Sequence, residues 1–107
     1  KISISASFNH LTWKKNEIFL TDTPGDDNFI NETRFAVQVA DSVILTVGAV
    51  LGVRNQTAKF IDLIQEKKLP CLICITKMDR ERANFMQTVD QVRAASGLNP
   101  VVLYLPI

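Results

Sequence analysis

The sequence predicts an α/β fold: a mostly parallel sheet with helices on both faces. Two observations carry that prediction. The chain opens on a hairpin-like pair of strand patterns and then alternates helical and strand patterns to its end. Two of the later strand patterns, at residues 43–47 and 71–75, are continuous apolar runs, as in strands of a parallel sheet buried on both faces. Composition agrees. The chain has 107 residues, 47% of them apolar, with only 4 glycines and 4 prolines, so it reads as one globular domain or part of one. A net charge of +1 excludes a broad basic surface for nucleic acid or for membrane lipid. No apolar run approaches the ~20 residues of a membrane span, and residues 2–8 are too polar for a signal peptide. A cytoplasmic location without membrane association is expected. A chain that starts at Lys1 and ends directly after an apolar run is expected to be cut from something longer.

Each element follows from its pattern. Residues 2–8 alternate apolar and small polar side chains, the period of a half-buried strand. Residues 9–16 read as a polar link in which Trp13 packs on the hairpin, and residues 17–21 as the second, antiparallel strand. Asp27 or Asn28 is placed to cap a helix, with Phe29, Thr33, Ala36, Val37 and Ala40 on one face. Strand 43–47 follows, and Gly48 and Gly52 bracket a loop. A helix over 56–68 buries Phe60, Ile61 and Ile64 and stops at Leu69-Pro70. After strand 71–75, a helix over 82–96 buries Phe85, Val89 and Val92 and ends at Gly97 as a C-cap. Residues 101–105 read as a last strand.

The two cysteines, Cys71 and Cys74, have C-x-x-C spacing, which invites a redox or zinc assignment. Strand residues three apart point to opposite faces, no second ligand pair is present, and His10 is the only histidine. Buried thiols in a reducing compartment are the expectation.

Two motifs stand at strand ends, where ligands sit in open α/β sheets. Asp22-Thr23-Pro24-Gly25 ends the strand at 17–21. There the carboxylate can hold the water shell of Mg²⁺, and the glycine lets a backbone N–H approach a terminal phosphate. The same four residues fit a plain type II turn, with Pro then Gly. Thr76-Lys77-Met78-Asp79 ends the strand at 71–75. Asp79 can accept two parallel N–H bonds from guanine, at N1 and the 2-amino group, a pair that adenine lacks. The Lys77 stem can lie along the base, and Thr76 can add a hydroxyl bond. Asp79 fits equally well as an acidic cap on the helix that follows.

Taken in order, these motifs resemble the GTP-binding domain of translational GTPases of the elongation factor G kind. Further segments support the resemblance along nearly the whole chain. Lys1-Ile2-Ser3-Ile4-Ser5 is similar to the end of the first switch, written G-I-T-I, and residues 49–57 are similar to the A-V-x-G-V-x-x-Q-T loop. Asn84-Phe85, Leu98-Asn99-Pro100-Val101 and Leu105-Pro106-Ile107 resemble the family's A-D-F, G-x-x-P-V and L-P-I segments. The resemblance implies a P-loop-NTPase-like GTPase fold lacking its first strand and phosphate loop, because no G-x-x-x-x-G-K-[ST] is present. Residues 1–107 are then a partial GTP-binding domain, running from the end of the first switch to beyond Thr76-Lys77-Met78-Asp79. In the family the missing strand runs between those ending at Asp22 and Val47, so the chain alone should leave edges unpaired, bind GTP poorly and fold badly.

The resemblance also assigns roles. Asp22 holds Mg²⁺ through water, and Ser3 ligates Mg²⁺ in place of the switch threonine. Gly25 meets the γ-phosphate, Thr23 and Pro24 belong to the same nucleotide-binding turn, and Thr76, Lys77 and Asp79 hold the base. Thr76 stands where the family has asparagine and lacks an amide's paired donor and acceptor. Asp26 stands where the family has the histidine that orients the attacking water. A carboxylate there can accept a bond from water but places negative charge near the γ-phosphate and near RNA phosphates. Slower ribosome-stimulated hydrolysis is expected; a solvated turn carboxylate is the alternative. The implied cofactors are GTP and Mg²⁺. The implied partners are GTP or GDP and the ribosome, its RNA and proteins, with a monomeric parent protein. Three other readings share the same residues: a GTP-binding module that hydrolyses slowly, a ribosome-protection or recycling factor, and a domain that has lost nucleotide binding.

Overall fold

The computed structural model describes residues 5–107, and it divides into two compact units, Lys1–Ala40 and Asp41–Ile107. Ser3, assigned above to the metal, lies outside the described residues.

The first unit holds β1 (Ser7–Trp13) and β2 (Asn16–Asp22), an antiparallel pair in which Trp13 faces Asn16 and Ser7 faces Asp22. The expected polar link is therefore strand up to Trp13, and only Lys14 and Lys15 form the turn. Both have positive φ (48° and 66°), as a two-residue turn matching strand twist requires. The Asn16 Nδ2 donates to the Lys14 carbonyl at 3.1 Å. His10 stacks on Phe19 with ring centroids 4.5 Å apart. Trp13 does not pack into a core: it is 59% exposed, and the Lys14 ammonium sits 4.6 Å from the centre of its ring. A short 3₁₀ turn over Asp27–Phe29 leads into α1 (Ile30–Val39). Thr33 and Val37 are the buried residues of α1, and its Glu32 carboxylate accepts from the Ala6 N–H at 3.1 Å.

The second unit is built on β3 (Val43–Gly48) and β4 (Cys71–Thr76), paired in parallel from Val43–Cys71 to Gly48–Thr76. A parallel pair needs a crossover, and α2 (Asn55–Glu66) supplies it. α3 (Phe85–Ser96) follows β4. Leu45 and Val47 pack with Ile61 and Ile64 of α2 and Val92 of α3 to form the core, with Phe60, Leu69 and Ala95 partly buried against it. Helix α2 ends without glycine: Lys68 takes the left-handed conformation (φ 53°), and its N–H and that of Leu69 bond back to Gln65 and Ile64. Helix α3 ends on Gly97 at φ 70°, as expected.

Several expectations change. The strands are not buried on both faces: α2 and α3 cover the Leu45–Val47 side, and Ile44, Leu72 and Cys74 on the other side stay exposed. Helices on both faces are therefore not seen within this unit, and both cysteines are free and exposed rather than core thiols. The third helix starts at Phe85 rather than 82, because the Asn84 side chain caps it by accepting from the Gln87 N–H at 2.9 Å. Residues 101–107 form no strand and stay exposed, since β4 pairs with β3 alone. Among the described residues the strands form one antiparallel and one parallel pair, and each strand has a single neighbour.

Candidate functional site

In the first unit, β2 delivers Asp22 to its C-terminal end with its side chain exposed. Pro24 is fully buried and anchors the turn, and Thr23 is half-buried beside it. Gly25 lies in the open: a Cβ built on it would meet nothing within 4 Å. Its φ is not in the left-handed region, which is occupied only by Gly52 and Gly97 among the described glycines. A type II turn with glycine at its third position is thereby excluded, because it needs positive φ there. Neither packing nor backbone conformation demands glycine at this position. What glycine leaves free is the approach of a ligand to its N–H.

Asp26 is committed locally. Its Oδ1 accepts from the Asn28 N–H at 2.9 Å, and its carbonyl accepts from the Phe29 N–H at 3.0 Å. The carboxylate thus closes an Asx turn that opens the helical segment.

In the second unit, Thr76 closes β4 opposite Gly48. Its carbonyl accepts from the Ala49 N–H at 2.8 Å, and its hydroxyl reaches the Val47 carbonyl at a long 3.5 Å. Lys77 takes a left-handed backbone (φ 59°), unusual for a residue with a Cβ. Its carbonyl accepts from the Arg80 N–H at 3.3 Å, and its stem passes over Gly48, where a Cβ would stand 3.7 Å from the Lys77 Cδ. Asp79 is exposed, with only the Arg80 Nε at 4.0 Å, a solvent-screened pair of small worth. Since Asn84 caps α3, Asp79 is not a helix cap, and its carboxylate is left for other work.

The structure therefore groups Asp22, Thr23, Pro24, Gly25 and Asp26 in one unit and Thr76, Lys77 and Asp79 in the other. The donor set at Asp22, an exposed carboxylate oxygen at a strand end, suits a hard cation held through water. No trio of His, Cys, Asp or Glu that could hold a metal by itself occurs among the described residues. Asn84 was missed as a site-supporting residue. The signal was present: an asparagine directly before the stripe of Phe85, Val89 and Val92.

Comparison with known proteins decides the family. The family described as the Elongation factor Tu GTP binding domain matches residues 1–100. The chain belongs to that family. The elongation-factor resemblance holds over nearly its full length. It is 34% identical over 105 residues to an elongation factor G-like protein of Thermotoga maritima, covering 98% of the chain and 15% of that protein. It is 35% identical over 106 residues to elongation factor G 1 of Syntrophus aciditrophicus, covering 99% and 15%. It is 34% identical to the mitochondrial elongation factor G of Aedes aegypti, covering 99% and 14%. The chain thus spans about 15% of the length of these relatives. Within this elongation-factor domain, Asp22–Gly25 and Thr76–Asp79 stand at the C-terminal ends of β2 and β4. No helix among the described residues is long and apolar enough to cross a membrane.

Proposed function

We propose that the protein carrying this chain is a ribosome-associated GTPase of the elongation factor G kind, acting in elongation or translocation. One observation carries the reading. Two strand-end motifs occur in the family's order, and in each the structure removes the structural alternative: Gly25 is not a left-handed turn glycine, and Asp79 is not a helix cap. Asp79 would read guanine, with Lys77 along the base and Thr76 beside it. Asp22 and Gly25 would serve the Mg²⁺ and γ-phosphate end, with Ser3 as the further metal ligand. Mg²⁺, when bound, supplies charge neutralisation at the phosphates. The parent would work in the cytoplasm as a monomer.

A second reading is favoured by the Asx turn. Asp26 stands at the position of the family's histidine, and its Oδ1 is already engaged by the Asn28 N–H. A carboxylate held by its own backbone has less acceptor capacity left for water, and its charge would oppose the γ-phosphate. This supports a GTP-binding module that hydrolyses slowly, as a regulatory, ribosome-protection or recycling factor. GTP hydrolysis by the full-length protein, with and without ribosomes and with ATP as control, separates the two. Stimulated turnover of GTP alone supports the elongation reading. GTP binding without stimulated turnover supports the slow module. Absence of guanine-nucleotide binding refutes both.

A further inference from the structure

We infer that Gln91, in the middle of α3, is a positioning residue for the loop that reads the base. The inference rests on the guanine reading of Asp79 given above. Gln91 Oε1 accepts from the Val53 N–H at 2.9 Å, across 38 positions of sequence. The loop makes room for it. Gly52 sits at φ +63°, and a Cβ there would lie 1.7 Å from that same Oε1. Glycine at 52 and glutamine at 91 are thus two halves of one fit: a backbone that only glycine adopts readily, and a side chain that fills the space glycine leaves.

The fit is linked to the base loop by a short chain of backbone bonds. The Gly52 N–H donates to the Gly48 carbonyl at 2.8 Å. The next residue, Ala49, donates its N–H to the Thr76 carbonyl at 2.8 Å and accepts from the Asn84 N–H at 3.0 Å. Asn84 and Gln91 lie two helical turns apart, on one face of α3. Asn84 holds the start of the 48–53 loop and Gln91 holds its end. Thr88, between them and 1% exposed, bonds the Asn84 carbonyl through its hydroxyl at 2.7 Å and locks the first turn in place. Helix α3 therefore clamps the loop after β3 at both ends, and that loop in turn fixes Thr76, where the base-reading residues begin. The clamp gives Asp79 a set position although its own contacts are few. It also compensates for Thr76, whose hydroxyl is turned to Val47 rather than to the loop that follows.

The test uses the full-length protein and two readouts. The first is the ratio of affinities for GDP and for inosine diphosphate, which lacks the 2-amino group that Asp79 would bond, with ADP as control. The second is amide hydrogen exchange in segments 48–54 and 76–80. Gln91→Ala is expected to lower the GDP preference roughly 3- to 10-fold, the worth of one hydrogen bond, and to speed exchange in both segments. Gln91→Met keeps the side-chain volume without the acceptor and should behave alike, which covers failure of the alanine variant to fold. Gln91→Glu keeps an acceptor oxygen and should stay near wild type. An unchanged GDP preference with unchanged exchange at 76–80 overturns the inference, as does faster exchange confined to 48–54. A wild-type protein with no preference for GDP sinks the guanine reading instead. In that case exchange at 76–80 alone decides whether Gln91 positions the loop.

Discussion

Gly52→Ala closes the space that Gln91 Oε1 occupies, and its cost can be worked out term by term. Alanine at φ +63° loses about 1–2 kcal/mol relative to a conformation it prefers. The new methyl, 1.7 Å from Oε1 if nothing moved, must expel the Gln91 amide. The half-buried Val53 N–H then loses its acceptor, which costs about 1–3 kcal/mol. The single variant should therefore lose about 2–5 kcal/mol. Gln91→Ala alone should lose only the hydrogen-bond part, about 1–3 kcal/mol. The double variant is the decisive measurement. With Gln91 already gone there is no amide to expel, so the hydrogen-bond loss is counted once. The double variant should then be more stable than the sum of the singles predicts, by about 1–3 kcal/mol. Opening free energies from hydrogen exchange of the amides in β3 and β4 give the values for this unit without requiring the whole protein to unfold in two states. Additivity within about 0.5 kcal/mol would refute the reasoning, because it would mean that Gly52 and Gln91 act independently.

Three other outcomes are expected. Asn84→Ala should destabilise α3 by about 1 kcal/mol by removing the acceptor for the Gln87 N–H, while Asn84→Asp keeps it; fraying of residues 85–88 seen by hydrogen exchange is the check. Under the GTPase function proposed above, Asp26→His in the full-length protein should raise ribosome-stimulated GTP hydrolysis, and an unchanged or lower rate contradicts the role proposed for that position. Asp26→Asn retains the Oδ1 acceptor of the Asx turn and should leave the start of α1 intact. Cys71 is partly screened at the start of β4, and this desolvation raises its thiol above the ordinary 9.0, a backbone hydrogen bond from Leu45 opposing it. The folded chain therefore holds that proton more tightly than the unfolded one. Its contribution to stability is present below pH 9.0 and falls as pH rises past that value. Alkylation of Cys71 at pH 8 should accordingly run slower in the native protein than in the urea-unfolded chain.

What the amino-acid order determined by itself is the sequence of elements and the position of the strand-end motifs. Apolar runs at 43–47 and 71–75 became β3 and β4, and the stripes Ile61–Ile64 and Val89–Val92 became the buried faces of α2 and α3. These are local properties: side-chain period and burial preference act over a few residues, so they can be read without partners. The turn at Lys14-Lys15 was illegible because two lysines carry no turn signal, and only the cross-strand register forces them to positive φ. Exposure of Ile44, Leu72 and Cys74 was likewise beyond a linear reading. An apolar strand shows that it is fit for burial, and only the packing of neighbouring elements decides which face is covered. The same distinction governs the site. Gly25 and Asp79 stood out as candidates by residue type, but that neither serves a left-handed turn or a helix cap was a tertiary fact: it depended on the φ of Gly25 and on Asn84 taking the cap. The pairing of Gly52 with Gln91 had no sequence signal, because the residues stand far apart in the chain and meet only once β3, β4 and α3 have folded around the loop between them.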